Sequence, residues 1–209
     1  MGTRNLTMVI LKKETKVAQY GQWDGYPSGQ GATVVDFIKN NPVTKMIKML
    51  ERVKFIDDEK QKEIDEWFKS IGVNDGWMNM EQSAMYQAKY PLLTRDNGAN
   101  VLNLLMESED DVLWLHDSTD FAADSLFCEW AYVLDLDKRV LEVYTGFNKG
   151  EVDKKSRFAD LEESDNGSSE YKTVSLLAKY RFKDLKGMTT DEWATIVEKI
   201  GQEEEEEVE

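Results

Sequence analysis

The sequence predicts an α+β fold: an antiparallel sheet from an N-terminal hairpin and later strands, a helical middle segment and a C-terminal helix. Three observations carry this prediction. Residues 3–12 alternate like a strand, and residues 46–107 repeat apolar positions at helical spacing. Residues 128–147 then return to strand-like runs on either side of a turn. At 209 residues, 41% of them hydrophobic, the chain can bury one sizeable core, so residues 1–201 read as a single domain.

In the first strand Leu6, Met8 and Ile10 share one face, and Thr7, Val9 and Leu11 the other. Lys12 to Lys16 form a turn, and residues 17–20 return as its partner strand. The loop from Gly21 to Gly31 leads into a short helix over 32–40, stopped by Asn41-Pro42. Met46, Ile47, Met49, Leu50 and Val53 then recur at helical spacing. Ile64, Trp67, Phe68 and Ile71 do so again, with Asp57 or Asp58 as the start and Gly72 as the stop. Helices over 80–89 and 99–107 complete the group, and residues 108–127 are too acidic and irregular to assign. A second hairpin over 128–136 and 140–147 turns at Asp137-Lys138-Arg139; a polar loop over 148–170 and a strand over 173–182 follow. In the last helix Thr189 and Glu192 fit a capping box, Trp193, Ile196, Val197 and Ile200 form a stripe, and Gly201 marks the end.

The formal charge is −15, and it is uneven. Residues 1–105 hold 14 Lys/Arg against 13 Asp/Glu, whereas residues 106–209 hold 12 against 28. Residues 202–209, with six glutamates, read as a disordered acidic tail. This balance argues against direct nucleic-acid binding, which needs a basic stripe. It allows an acidic surface that docks on a basic protein or imitates nucleic acid through residues 106–209, and it equally suits plain solubility. Three prolines and the single Cys128 exclude a disulfide framework. The longest apolar run near the start, Met8 to Leu11, is too short for a membrane span, so a soluble, cytoplasmic chain without a membrane partner is expected. No cofactor is implied, and the oligomeric state is not legible.

The conspicuous segment is the loop around Trp23-Asp24-Gly25-Tyr26-Pro27-Ser28-Gly29-Gln30-Gly31. Its glycines permit positive φ and close backbone approach, and its end is a helix start where free N–H groups favour an anion. Trp23 and Tyr26 can stack a ring beside the Asp24 carboxylate. The glycine spacing fits neither a phosphate-binding P-loop nor the dinucleotide fingerprint. A tight Ω-like turn with both aromatics as packing staples explains the composition equally well.

The segments Met1-Gly2-Thr3-Arg4 and Trp23-Asp24-Gly25-Tyr26-Pro27 resemble a group of uncharacterised phage and fungal proteins that open this way and carry this loop after the first hairpin. Glu129-Trp130-Ala131-Tyr132-Val133-Leu134-Asp135-Leu136-Asp137 and Glu142-Val143-Tyr144 match more weakly. The resemblance supplies no activity, but implies that the terminus and the loop belong together, with interference in a host pathway as a natural setting.

The leading expectation is an accessory protein that binds a small anionic or aromatic ligand through Arg4, Trp23, Asp24, Tyr26, Ser28, Gly29 and Gly31. Arg4 neutralises charge, Asp24 orients, and the glycines open the helix start. Catalysis by Thr3, Arg4 and Asp24, in the manner of an N-terminal-nucleophile amidohydrolase, is an alternative limited by chemistry: loss of Met1 exposes Gly2, which has no attacking atom. His116, Asp120 and Asp124 are spaced to meet a divalent metal if they lie on one helix, or else form a solvated acidic face.

Overall fold

The computed structural model describes residues 2–73, 76–161 and 170–208. Strands β1 (Asn5–Leu11) and β2 (Glu14–Gly21) form the expected hairpin. Its turn is only Lys12-Lys13, both at positive φ, the conformation that a two-residue hairpin turn demands. That strained pair is held from outside: the Lys12 and Lys13 N–H groups donate to the two carboxylate oxygens of Asp137, at 2.8 Å each.

Helices α1 (Ala32–Asn40) and α2 (Val43–Leu50) follow, then a short strand β3 (Val53–Phe55), α3 (Asp58–Ser70), α4 (Met80–Lys89) and α5 (Val101–Glu107). Asp57 caps α3 by accepting from the Lys60 N–H, and Gly72 closes it at a φ of 81°. Strand β4 (Leu113–Leu115) lies in the acidic stretch that gave no sequence signal, and pairs in parallel with β3. Val53, read from the sequence as helical, belongs to that small sheet.

Strands β5 (Trp130–Asp135), β6 (Val140–Thr145) and β7 (Ser175–Arg181) complete the main sheet, whose order is β2-β1-β5-β6-β7. Its pairs are antiparallel except β1 with β5, which run parallel. A parallel pair needs a long crossover, and the helical middle segment supplies it. A four-residue helix α6 (Phe182–Leu185) leads to α7 (Thr190–Val208). The capping box predicted for α7 is present: the Thr189 N–H donates to Glu192 and the Glu192 N–H to the Thr189 hydroxyl. Gly201 does not stop the helix, whose backbone runs on to Val208. A Cβ at Gly201 would lie 3.2 Å from the Trp130 ring, so close packing rather than termination accounts for the glycine.

β1 is buried along its whole length and β5 nearly so, as expected of strands covered on both faces. One face, with Val9, Tyr132, Leu134 and Val143, meets the helices through residues such as Phe37, Leu102 and Trp193. The other, with Leu6, Met8, Val133 and Tyr144, meets irregular chain carrying Ala122, Phe158 and Val174. α3 and α4 enclose a separate cluster of Ile64, Tyr90 and Leu93, with Trp67, Phe68 and Tyr86 against it. Among the described residues, no helix is long and apolar enough to cross a membrane.

Candidate functional site

The N-terminal strand and the tryptophan loop meet. The Gly25 N–H donates to the Thr3 carbonyl at 2.9 Å, and the Asn5 amide donates to the carbonyls of Gly21 and Trp23. A Cβ on Gly2 would fall 2.3 Å from the Trp23 ring. Residues 129–132 join them, because the Tyr132 hydroxyl donates to the Gly25 carbonyl at 2.8 Å and the Arg4 N–H to the Glu129 carboxylate.

The start of the following helix is already satisfied by the chain itself. Residues Pro27–Gly31 form a wide helical turn that runs directly into α1. Pro27 has no N–H. The Gly29 and Gly31 N–H groups donate to the Tyr26 carbonyl and the Gln30 N–H to the Asp24 carbonyl. The Ser28 N–H takes a carboxylate, Glu198 of α7, at 3.0 Å. The anion that the helix start favours is therefore an internal one.

Gly29 and Gly31 serve packing here. A Cβ would lie 2.3 Å from the Asp24 carbonyl oxygen at the first and 2.9 Å from the Tyr132 ring at the second. Asp24 itself adopts a positive φ of 55°, and its backbone carbonyl pins the turn. Thr3 is buried with its carbonyl engaged, which is a poor presentation for a nucleophile. The Arg4 guanidinium lies over the Phe127 ring at 4.3 Å.

Tyr26 and Ser28 do line a cleft, of about 410 Å³, and the rest of its wall comes from far along the chain. Glu129, Trp130, Thr145 and Phe147 form one side, and Glu198, Gly201 and Gln202 of α7 the other. Tyr26 and Phe147 are about half exposed. Phe147 is held at a φ of 54°, with its N–H donating to the Ser125 carbonyl at 2.7 Å. A bulky residue in the left-handed region is costly, and such strain concentrates where a side chain must be presented. Among the described residues, the lining contains two carboxylates and no lysine, arginine or histidine.

Of the ligand-binding residues expected from sequence, the cleft brings together Tyr26 and Ser28; Arg4, Trp23, Asp24, Gly29 and Gly31 shape the loop behind it. Sequence reasoning missed Phe147 and Glu198, whose place opposite the loop depends on tertiary contacts. Glu129 and Trp130 had a signal, since they open the second resembling stretch.

The helical condition on which His116, Asp120 and Asp124 would meet a metal is not fulfilled. His116 follows β4, and Asp120 lies in a 3-10 turn, Thr119–Ala123, that ends before Asp124, so the helical spacing that would align the three does not exist. Among the described residues no group of three His, Cys, Asp or Glu side chains gathers for a metal. Cys128 is fully buried, and burial, with Asp124 and Glu129 nearby, pushes its thiol far above the ordinary range, which leaves no thiolate for nucleophilic chemistry. Comparison with protein-family models, curated proteins and solved structures gave no match.

Proposed function

We propose that the protein is an acidic binding module that captures a basic polypeptide, seating a lysine or arginine side chain in the cleft between Tyr26, Phe147 and α7. One observation carries this reading: aromatic rings and two carboxylates converge on one cleft that no cation among the described residues lines. Aromatic faces attract an ammonium or guanidinium, and the flanking carboxylates add charge complementarity. The acidic balance of residues 106–209 provides long-range attraction toward a basic surface. The reading keeps the loop as part of the site and merges it with the basic-partner alternative; the ligand's charge is opposite to that expected at the helix start, because Glu198 already fills that position.

The test is the affinity of a fluorescent hexa-arginine peptide, measured by anisotropy at fixed ionic strength. A Tyr26→Ala/Phe147→Ala double variant keeps the net charge and is expected to bind roughly tenfold more weakly, from the loss of two cation–π contacts. Equal affinity would mean that diffuse charge alone attracts the peptide and that the cleft is not the site.

A further inference from the structure

A second cleft, of about 570 Å³, lies between the α3–α4 pair and the α5–β4 region, and its composition is unlike the first. Pro91, Leu92, Leu93, Leu104 and Trp114 give it an apolar part, and Lys60, Lys89, Glu63, Glu107 and Asp110 also line it. Its size is that of a small-molecule site. Tyr90, at the junction after α4, lines it and is only 8% exposed, yet its hydroxyl is buried with no hydrogen-bond partner among the described residues. A buried, unpaired hydroxyl costs free energy and calls for an acceptor.

The groups around Tyr90 identify that acceptor. The Lys60 ammonium lies 5.7 Å from the Tyr90 ring centre and 5.9 Å from that of Trp114, and the Lys89 ammonium lies 6.0 Å from the Tyr90 ring. Burial and the neighbouring Glu63 push the Tyr90 phenol up, with Lys60 opposing, so the hydroxyl stays protonated and can only gain by donating. One hydroxyl and two ammonium groups thus gather around the Tyr90 ring beside the apolar part of the wall, with the carboxylates of Glu63, Glu107 and Asp110 also on the lining. Glu63, the present partner of Lys60, holds the ammonium through both carboxylate oxygens at 2.8 Å and is largely exposed.

We propose that this cleft binds a small apolar carboxylate, its carboxylate accepting from Tyr90 and Lys60 and its aryl or alkyl body lying on Leu92, Leu93, Leu104 and Trp114. The site is separate from the cleft at Tyr26 and does not depend on it.

Calorimetric titration of the full chain with 3-phenylpropionate tests the assignment, with 3-phenylpropanol and 3-phenylpropylamine as comparators. The acid is expected to bind, the alcohol at least tenfold more weakly, and the amine not at all. Tyr90→Phe removes only the hydroxyl, and should weaken the acid about tenfold while leaving the unliganded protein as stable as the parent or more so. Tyr26→Ala/Phe147→Ala should bind the acid unchanged. No binding of the acid, an amine as tight as the acid, or full affinity in Tyr90→Phe would each overturn the proposal.

Discussion

The two faces of the main sheet are covered by opposite means. On the helical face, Val9, Leu134 and Val143 meet Phe37, Leu102 and Trp193 in an apolar layer. On the opposite face, the irregular segment around Phe158 lies across Met8, Val133 and Tyr144, and the sheet residues Asp135 and Glu142 are buried charges held by Arg157. Arg157 donates to Asp135 at 2.7 Å and to Glu142 at 2.9 Å, while Lys138, Lys179 and the Tyr144 hydroxyl complete the network. One layer is held by shape and area, the other by a clasp. The clasp fixes where an irregular segment sits, a task that periodic apolar contact does for helices without any charge.

The helical face should be the more sensitive to lost volume. Leu134→Ala removes a fully buried side chain from it and is expected to cost about 3–4 kcal/mol by denaturant unfolding. A cost below about 1 kcal/mol would show that the layer collapses readily and is less tightly packed than its burial implies.

The clasp face should respond to charge and to pH. Arg157→Met leaves Asp135 and Glu142 buried with Lys138 and Lys179 as their cations, and is expected to destabilise by about 3 kcal/mol. Burial alone would raise both carboxyls. At Asp135 the Lys138 backbone N–H and the Arg157 guanidinium outweigh it, and at Glu142 Arg157, Lys179 and Tyr144 do, so both end below the usual carboxylate range. A depressed native pKa contributes stability above the unfolded value, roughly 4, that is lost as pH falls through the native value. The parent should therefore hold its denaturation midpoint down to about that pH before losing it. In Arg157→Met the unfolded value is unchanged while the native values rise toward it, so less stability rests on these carboxylates and the acid-dependent loss should be smaller. An unchanged acid profile would mean that the lysines alone keep the carboxylates ionised.

The same contrast explains what could be read in the sequence. The helical face was legible because its partners repeat at fixed spacing: α1 over residues 32–40, the Asp57 cap and the Thr189–Glu192 box stand as expected. The clasp was not, since Phe158 and Arg157 lie in a polar loop without periodicity. Three-residue strands such as β3 and β4 carry too little pattern to register, which is why Val53 was read as helical and 113–115 not at all. Of the cleft at Tyr26, glycine and aromatic density exposed the loop, and the resemblance joined it to the terminus. The far wall depended on contacts such as Glu198 to Ser28, 170 residues apart, which no local signal encodes. The alignment of His116, Asp120 and Asp124 is conditional on one helix, and the chain provides a 3-10 turn there instead.

The smallest effect concerns how α7 is held to the helical face. Its capping box satisfies backbone N–H groups at the surface, while Trp193, Ala194 and Val197 are buried one turn further on. If apolar contact positions the helix, Thr189→Ala should cost only about 1 kcal/mol, the usual worth of a cap. The loss should also be confined to the first turn, visible as faster amide exchange at residues 190–193 with Trp193 still shielded. A larger loss, with Trp193 exposed to solvent quenchers, would mean that a polar anchor sets the position of α7. The helical layer would then depend on a clasp of its own, and the distinction between the two faces would be one of degree.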